Sequence, residues 1–452
     1  MADTLLGQRV DAIRRLARRG HAAPLAKVVA KTRAEDVAAI MGHLTAPEQR
    51  LVFSQVKEDS MAADVLSRVH GDDFLHLVEN VSPERLALLL THLAADDQTD
   101  LLERLPDSTR EAVMQRMKGE AREEVEELLA YARDTAGGIM STAAFTLGVG
   151  TTCRDAIAAV QEASDHELIY YCYVEDEDGH LVGVTSLRNL LTHPPSTRLV
   201  DIMSRDVISV RTETDQEEVA RIAGRYDLLA VPVMDSQRRL VGIVTVDDVI
   251  DVIKEEAAED MLLMAGVRQN EEEAGGNRFM VPAKRLPWLL VTLLGGLGIA
   301  ELIHAFDPLL RRELLLAGFI PIVMGMEGNV GIQAATVTVR GIATGRIDGS
   351  LGKTVGSEVF NGVVLGVFFA VAIGGYCLVR FGDVGVAASV ALAVVTGMTS
   401  AALVGTLVPL TFRRLGVDPA IATGPFVTTA MDMLGLSIYL TAATLFLGYV
   451  GA

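Results

Sequence analysis

The chain has 452 residues, 50% of them hydrophobic, a net charge of -19 and three cysteines. So much negative charge excludes a nucleic-acid binder, because phosphates call for Lys and Arg. Cys153, Cys172 and Cys377 lack the paired spacing of a disulfide framework or a zinc site.

The charge is unevenly placed. From residue 279 onward nine acids face ten bases, so nearly all of the acidic excess lies before that point. Two solvents are implied, water first and lipid second, with an aqueous surface suited to meeting cations. Arg14, Arg15, Arg18 and Arg19 are followed by no apolar run. No signal peptide is expected, and the N-terminal part is expected in the cytoplasm.

Residues 1–133 read as short amphipathic helices, with apolar residues three and four apart, as in Leu86, Leu89, Leu90 and Leu93. A cap-like unit recurs at His43–Glu48, Asn80–Glu84, His92–Asp97 and Arg104–Asp107, often with Pro at the first turn. The expectation is an all-α superhelical domain of stacked helices.

Residues 134–253 alternate strand-like runs (169–174, 181–184, 207–210, 229–234 and 240–244) with helical runs (155–163 and 216–226). The two halves match. Tyr173-Val174-Glu175-Asp176 followed by Gly183-Val184-Thr185-Ser186 parallels Val231-Pro232-Val233-Met234-Asp235 followed by Gly242-Ile243-Val244-Thr245. This pattern resembles a tandem pair of CBS modules, 134–200 and 201–253, of α/β class. The resemblance implies that Ser186 with Asn189, and Thr245 with Asp248, hold the ribose and phosphate of an adenine nucleotide such as ATP at helix starts. Plain helix caps would look the same. A connecting helix dense in acids and a polar linker at 269–277 make up 254–278.

The last region, 279–452, holds apolar runs long enough for a five-helix membrane bundle, at 286–306, 314–340, 358–379, 386–410 and 419–450. With the N-terminus inside, the inner loops carry Lys284, Arg285, Arg340, Arg346, Lys353, Arg413 and Arg414. The outer loops carry Arg311, Arg312 and Arg380. That obeys the positive-inside rule and puts the C-terminus outside a multi-pass protein of the inner (plasma) membrane.

Asp432 falls near the middle of the last span. An ionised Asp there costs about 2.5–3.5 kcal/mol, so such a residue normally meets a cation or lines a wet path. Glu327 lies in the second span beside Gly328 and Asn329, and the glycines near Pro321 suggest a broken or closely packed helix. These oxygens suit a hard cation. Magnesium, which keeps its waters and meets few carboxylates, fits one Asp per chain, and calcium and manganese remain open.

Gly328-Asn329-Val330-Gly331-Ile332-Gln333 with Arg340-Gly341, Gly424-Pro425-Phe426-Val427-Thr428-Thr429 with Asp432, and Asp134-Thr135-Ala136-Gly137-Gly138 together resemble the MgtE family of magnesium transporters. The resemblance implies a homodimer in a lipid bilayer with the pore on its two-fold axis. It also implies that Asp432 and the Thr428 carbonyl contact hydrated magnesium, with Gly328 and Asn329 nearby. Glu327 and Ile332 depart from the family pattern and bear on pore polarity.

It further implies a magnesium-selective channel closed by cytoplasmic magnesium. The regulatory ligands carried over are Asp96 and Asp100, which share one helix face, then Asp227, Asp248 and Asp251, then Glu256, Glu259 and Asp260, with Asp418 opposite. Asp215 and Glu217 are further candidates. No enzyme chemistry is expected. The alternatives are a nucleotide-sensing CBS receptor anchored in the membrane, and a transporter of another divalent cation.

Overall fold

The computed structural model describes residues 2–19, 21–163, 169–267, 280–347 and 351–450. The expected linker at 269–277 lies outside them. Two compact units divide the chain, Met1–Lys254 and Glu255–Ala452.

The first unit opens with ten helices: α1 Ala2–Arg18, α2 Ala22–Val29, α3 Ala34–Met41, α4 Ala46–Phe53, α5 Asp59–Arg68, α6 Gly71–Val78, α7 Pro83–Leu90, α8 Ala95–Arg104, α9 Asp107–Met114 and α10 Glu120–Leu128. Most are two turns long, too short to stand alone in water. Caps and a shared core hold them. Glu48 accepts the Thr45 backbone N–H at 2.9 Å, closing a capping box before α4. The Ser82 hydroxyl accepts the Arg85 backbone N–H at 3.2 Å, with Pro83 at the first helical position of α7. Leu25, Ile40, Leu66, Phe74, Leu86 and Leu101, from six of these helices, are all fully or almost fully buried in one core.

Two three-stranded sheets follow, β1 (Thr146–Gly148), β2 (Tyr171–Glu175), β3 (Leu181–Ser186) and β4 (Val210–Arg211), β5 (Ala230–Met234), β6 (Leu240–Thr245). Each pairs its first strand parallel and its last antiparallel to the middle one. Helices α11 Cys153–Glu162, α12 Leu187–Thr192, α13 Leu199–Ile202 and α14 Gln216–Tyr226 complete the pair. The segment before each module crosses to the sheet of the other. Ser141 exchanges backbone hydrogen bonds with Ile243 at 2.8 and 2.9 Å, and Ser204 does the same with Val184. A β-carbon on Gly242 would stand 2.7 Å from the Ser141 carbonyl oxygen, and one on Gly183 would stand 2.3 Å from Met203 Sδ. The glycine at each site makes room for the neighbour's strand. One helix, α15, runs from Val246 to Met264, so the second module's last helix and the expected connecting helix are continuous.

The second unit adds α16 Met280–Ala305, α17 Asp307–Arg312, α18 Leu314–Ala343, α19 Leu351–Phe381, α20 Val384–Arg414, a 3-10 turn Pro419–Thr423 and α21 Pro425–Val450. Five of its helices are long and apolar enough to cross a membrane, as expected. At 31 residues, α19 and α20 exceed the roughly 20 needed, so they tilt or project beyond the hydrocarbon. Helix α20 packs against α18, α19 and α21. At Gly405 a β-carbon would lie 2.3 Å from the Gly331 carbonyl oxygen, which places backbone against backbone. Buried hydroxyls are satisfied locally. Thr338 donates to the Ala334 carbonyl at 2.7 Å, Thr406 to Ala402 at 2.8 Å and Ser389 to Gly385 at 2.8 Å. Helix α18 passes through Pro321 unbroken. Of the two readings of its glycines, close packing is what the structure contains.

Candidate functional site

The membrane half brings Asp432 of α21 to the glycine face of α18. A β-carbon built on Gly328 would stand 4.0 Å from Asp432 Oδ1, so glycine leaves the carboxylate an open approach. Asp432 is partly exposed and has no hydrogen-bond or ion-pair partner among the described residues. Asn329 is exposed and Thr428 is half-buried one turn before Asp432, its backbone N–H directed to the Gly424 carbonyl at 3.4 Å. An acid without a cationic partner in an apolar span is costly unless water or an ion reaches it.

Glu327 is placed differently. It is 1% exposed, and neither carboxyl oxygen has a partner among the described residues. A β-carbon on Gly397 would stand 1.6 Å from Oε1, and one on Gly435 would stand 1.5 Å from Oε2. The carboxyl group therefore occupies a notch made by two glycines of α20 and α21. Ile332 is 37% exposed.

The expected regulatory acids fall into separate groups. In the first unit, Asp97 of α8 is close enough to Asp247 and Asp248, at the start of α15, for the charges to oppose one another. Burial, helped by Asp247 and Asp97, pushes the Asp248 carboxyl up to about 7, although Thr245 Oγ1 donates to it at 2.6 Å. Asp100 is exposed, yet the protein packed around it raises its carboxyl to about 6, and Arg104 opposes the rise. The sequence singled out Asp96 and Asp100 on α8. Asp97, which the sequence did not single out, also faces the start of α15, and its nearness in sequence to Asp100 was the available signal. Asp227 caps α14 in a left-handed conformation and is exposed, as is Asp251, which receives Lys254 Nζ at 2.7 Å. Asp215 accepts the Glu217 backbone N–H at 2.9 Å as a helix cap.

In the second unit, Asp260 on α15 lies near Asp418. Burial first, then Asp418 and Glu259, raises it to about 6. Asp418 itself accepts the Ala420 backbone N–H at 2.7 Å. Leu263, four residues after Glu259, packs with Val339 and Ala420. Glu256 and Glu259 are half-buried on the same helix.

The expected nucleotide positions are engaged internally. Ser186 caps α12 by accepting the Asn189 backbone N–H at 3.2 Å, and Thr245 is held by Asp248. The cleft beside Tyr170, Tyr171 and Thr245 encloses about 20 Å³, the room of about one water molecule.

Comparison with known proteins agrees with this layout. The family described as divalent cation transporter (MgtE) matches residues 320–442, the MgtE intracellular N domain matches 32–134, and CBS domains match 136–195 and 199–255. A magnesium transporter MgtE of Thermus thermophilus is 35% identical over 95% of this chain and 96% of its own length. One from Bacillus subtilis is 32% identical over 96% of both chains. One from Enterococcus faecalis is 40% identical over 72% of both. A crystal structure of the cytosolic domain of the Mg2+ channel MgtE in complex with ATP is 36% identical, with a TM-score of 0.51. It covers 54% of this chain and 99% of that one.

Proposed function

Since the chain belongs to the MgtE family of divalent cation transporters, we propose that it is a magnesium channel whose ion path runs beside Asp432. One observation carries this reading: a partly exposed carboxylate in the fifth span, with no protein partner among the described residues, facing a helix that offers glycine instead of a side chain. A hydrated Mg2+ holds its waters, and Asp432 would accept hydrogen bonds from them while supplying the charge the lipid withholds. The exposed amide of Asn329 and the Thr428 carbonyl would supply neutral oxygens beside that path. Two chains related by a two-fold axis would set two such carboxylates around one path.

Control by cytoplasmic Mg2+ follows from the crowded acids. Asp97 with Asp247 and Asp248, and Asp260 with Asp418, are like charges brought close, which is unfavourable when all are ionised. A divalent ion between them reverses the sign of the interaction. If it binds the closed arrangement better than the open one, it closes the path by that difference in affinity. The N-terminus is then cytoplasmic and the C-terminus outside.

The test is flux into vesicles of the purified full chain under a Mg2+ gradient, with Mg2+ titrated on the side that carries residues 1–254. Flux that falls as that Mg2+ rises supports the reading. Absence of flux, or flux indifferent to that titration, rejects it.

ATP is the second reading, favoured by the relative solved with it. Binding would require the Thr245–Asp248 contact to open, and calorimetric titration of the full chain with ATP measures it.

A further inference from the structure

At the end of the bundle where α18 stops and α19 begins, a cavity of about 460 Å³ is lined by Arg340, Arg346, Lys353, Thr344, Ser357 and Glu358. The three cations are exposed, and none has an ion pair among the described residues. Three basic side chains and three hydroxyls, those of Thr344, Thr354 and Ser357, around one recess form an anion site.

A second cavity, of about 350 Å³, adjoins it between α18 and α19. Val337 and Glu358 line both cavities. The second is apolar for most of its length. Val337 is 55%, Phe360 66% and Val364 50% exposed, all within helices long enough to lie in hydrocarbon. Helices α18 and α19 touch each other little, because α20 sits between them, and this leaves the groove open.

A polar, cationic recess joined end to end with an apolar groove, at the basic end of a membrane bundle, matches one amphiphile. We propose that an anionic glycerophospholipid binds here. Its phosphate would lie among Arg340, Arg346 and Lys353, and an acyl chain would lie along Val337, Phe360 and Val364. Basic recesses between membrane helices bind anionic headgroups for the same electrostatic reason. Glu358, which receives Asn361 Nδ2 at 3.3 Å, faces the headgroup as an acceptor. It therefore favours a headgroup bearing hydroxyls, such as that of phosphatidylglycerol. The charge complementarity selects a lipid over a second copy of the chain, whose apolar span would leave the cations unmatched. Arg340 and Val337 lie two to three turns along α18 from Asn329, so the site sits nearer the end of the bundle than Asp432 does.

The experiment is native mass spectrometry of the full chain in detergent with phosphatidylglycerol or phosphatidylcholine. One phosphatidylglycerol per chain should persist, and phosphatidylcholine should not. Arg340→Gln with Lys353→Gln should lower retention about thirtyfold, from two removed charges. Val337→Trp, which fills the groove and keeps every cation, should also lower it. Arg311→Gln with Arg312→Gln, at the other end of the bundle, should leave it unchanged. Any of four results overturns the proposal: retention unaffected by either the charge pair or Val337→Trp; equal retention of phosphatidylcholine; displacement by inorganic phosphate alone, which would mark a free-anion site; or a Val337→Cys disulfide between two copies, which would put a second chain in the groove.

Discussion

Glu327 and Gly435 fit one another as peg and notch: a β-carbon on Gly435 would stand 1.5 Å from Glu327 Oε2. Gly435 lies three residues, about one helical turn, beyond Asp432 on α21. The same helix therefore offers α18 two contacts, one tight at Glu327 and one open at Gly328.

The notch makes Gly435→Ala an overpacking change. It should cost about 1–3 kcal/mol and lower the melting temperature in detergent. The pair Gly435→Ala with Glu327→Gly removes the peg and should recover most of that loss, giving a non-additive double-mutant cycle. Additive losses would show that Glu327 and Gly435 do not share the space.

The crossed segments of the CBS pair give an asymmetric expectation. A β-carbon on Gly242 meets a backbone oxygen at 2.7 Å, whereas one on Gly183 first meets the flexible end of Met203. Gly242→Ala should therefore destabilise by about 1–3 kcal/mol, and Gly183→Ala by less. Thermal unfolding of the two variants side by side checks the order.

The raised carboxyls set a pH dependence. Asp248 is held up to about 7 and Asp100 to about 6, above their ordinary value of 3.8. A carboxyl raised on folding contributes stability that is fully present below its unfolded pKa and is lost as pH rises through the folded one. In the presence of a chelator, stability of the first unit should fall between about pH 4 and pH 7. Asp248→Asn should flatten the upper part of that fall, and Mg2+ should flatten it in the parent chain. Melting curves against pH, with chelator and with Mg2+, measure both.

Much of this was legible in the sequence because it rests on local pattern. Asp432 stands out because one acid in a 26-residue apolar helix has no local explanation. The five spans follow from length and hydropathy, and the short helices of the first domain follow from caps such as Thr45 with Glu48. What escaped depends on which elements meet. The Glu327 notch needs three helices at once, so no local pattern marks Gly397 and Gly435 as its walls. Asp97 faces Asp247 through the packing of α8, which its place in the sequence beside Asp96 does not reveal. The three residues of β1 and the two of β4 are too few to show alternation. The strand exchange was written in the repeated Ile139-Met140-Ser141 and Ile202-Met203-Ser204, but these flank the modules rather than lying within their matched cores.

The most direct test concerns the carboxylate in the fifth span. Asp432→Asn keeps the shape of the side chain and removes its charge. Mg2+ flux into vesicles of one lipid composition should fall at least about tenfold, the loss of some 1.4 kcal/mol of differential ion stabilisation, while the melting temperature stays within a few degrees of the parent. Parent-level Mg2+ flux through the folded Asp432→Asn protein would contradict the claim that the ion path runs beside that residue.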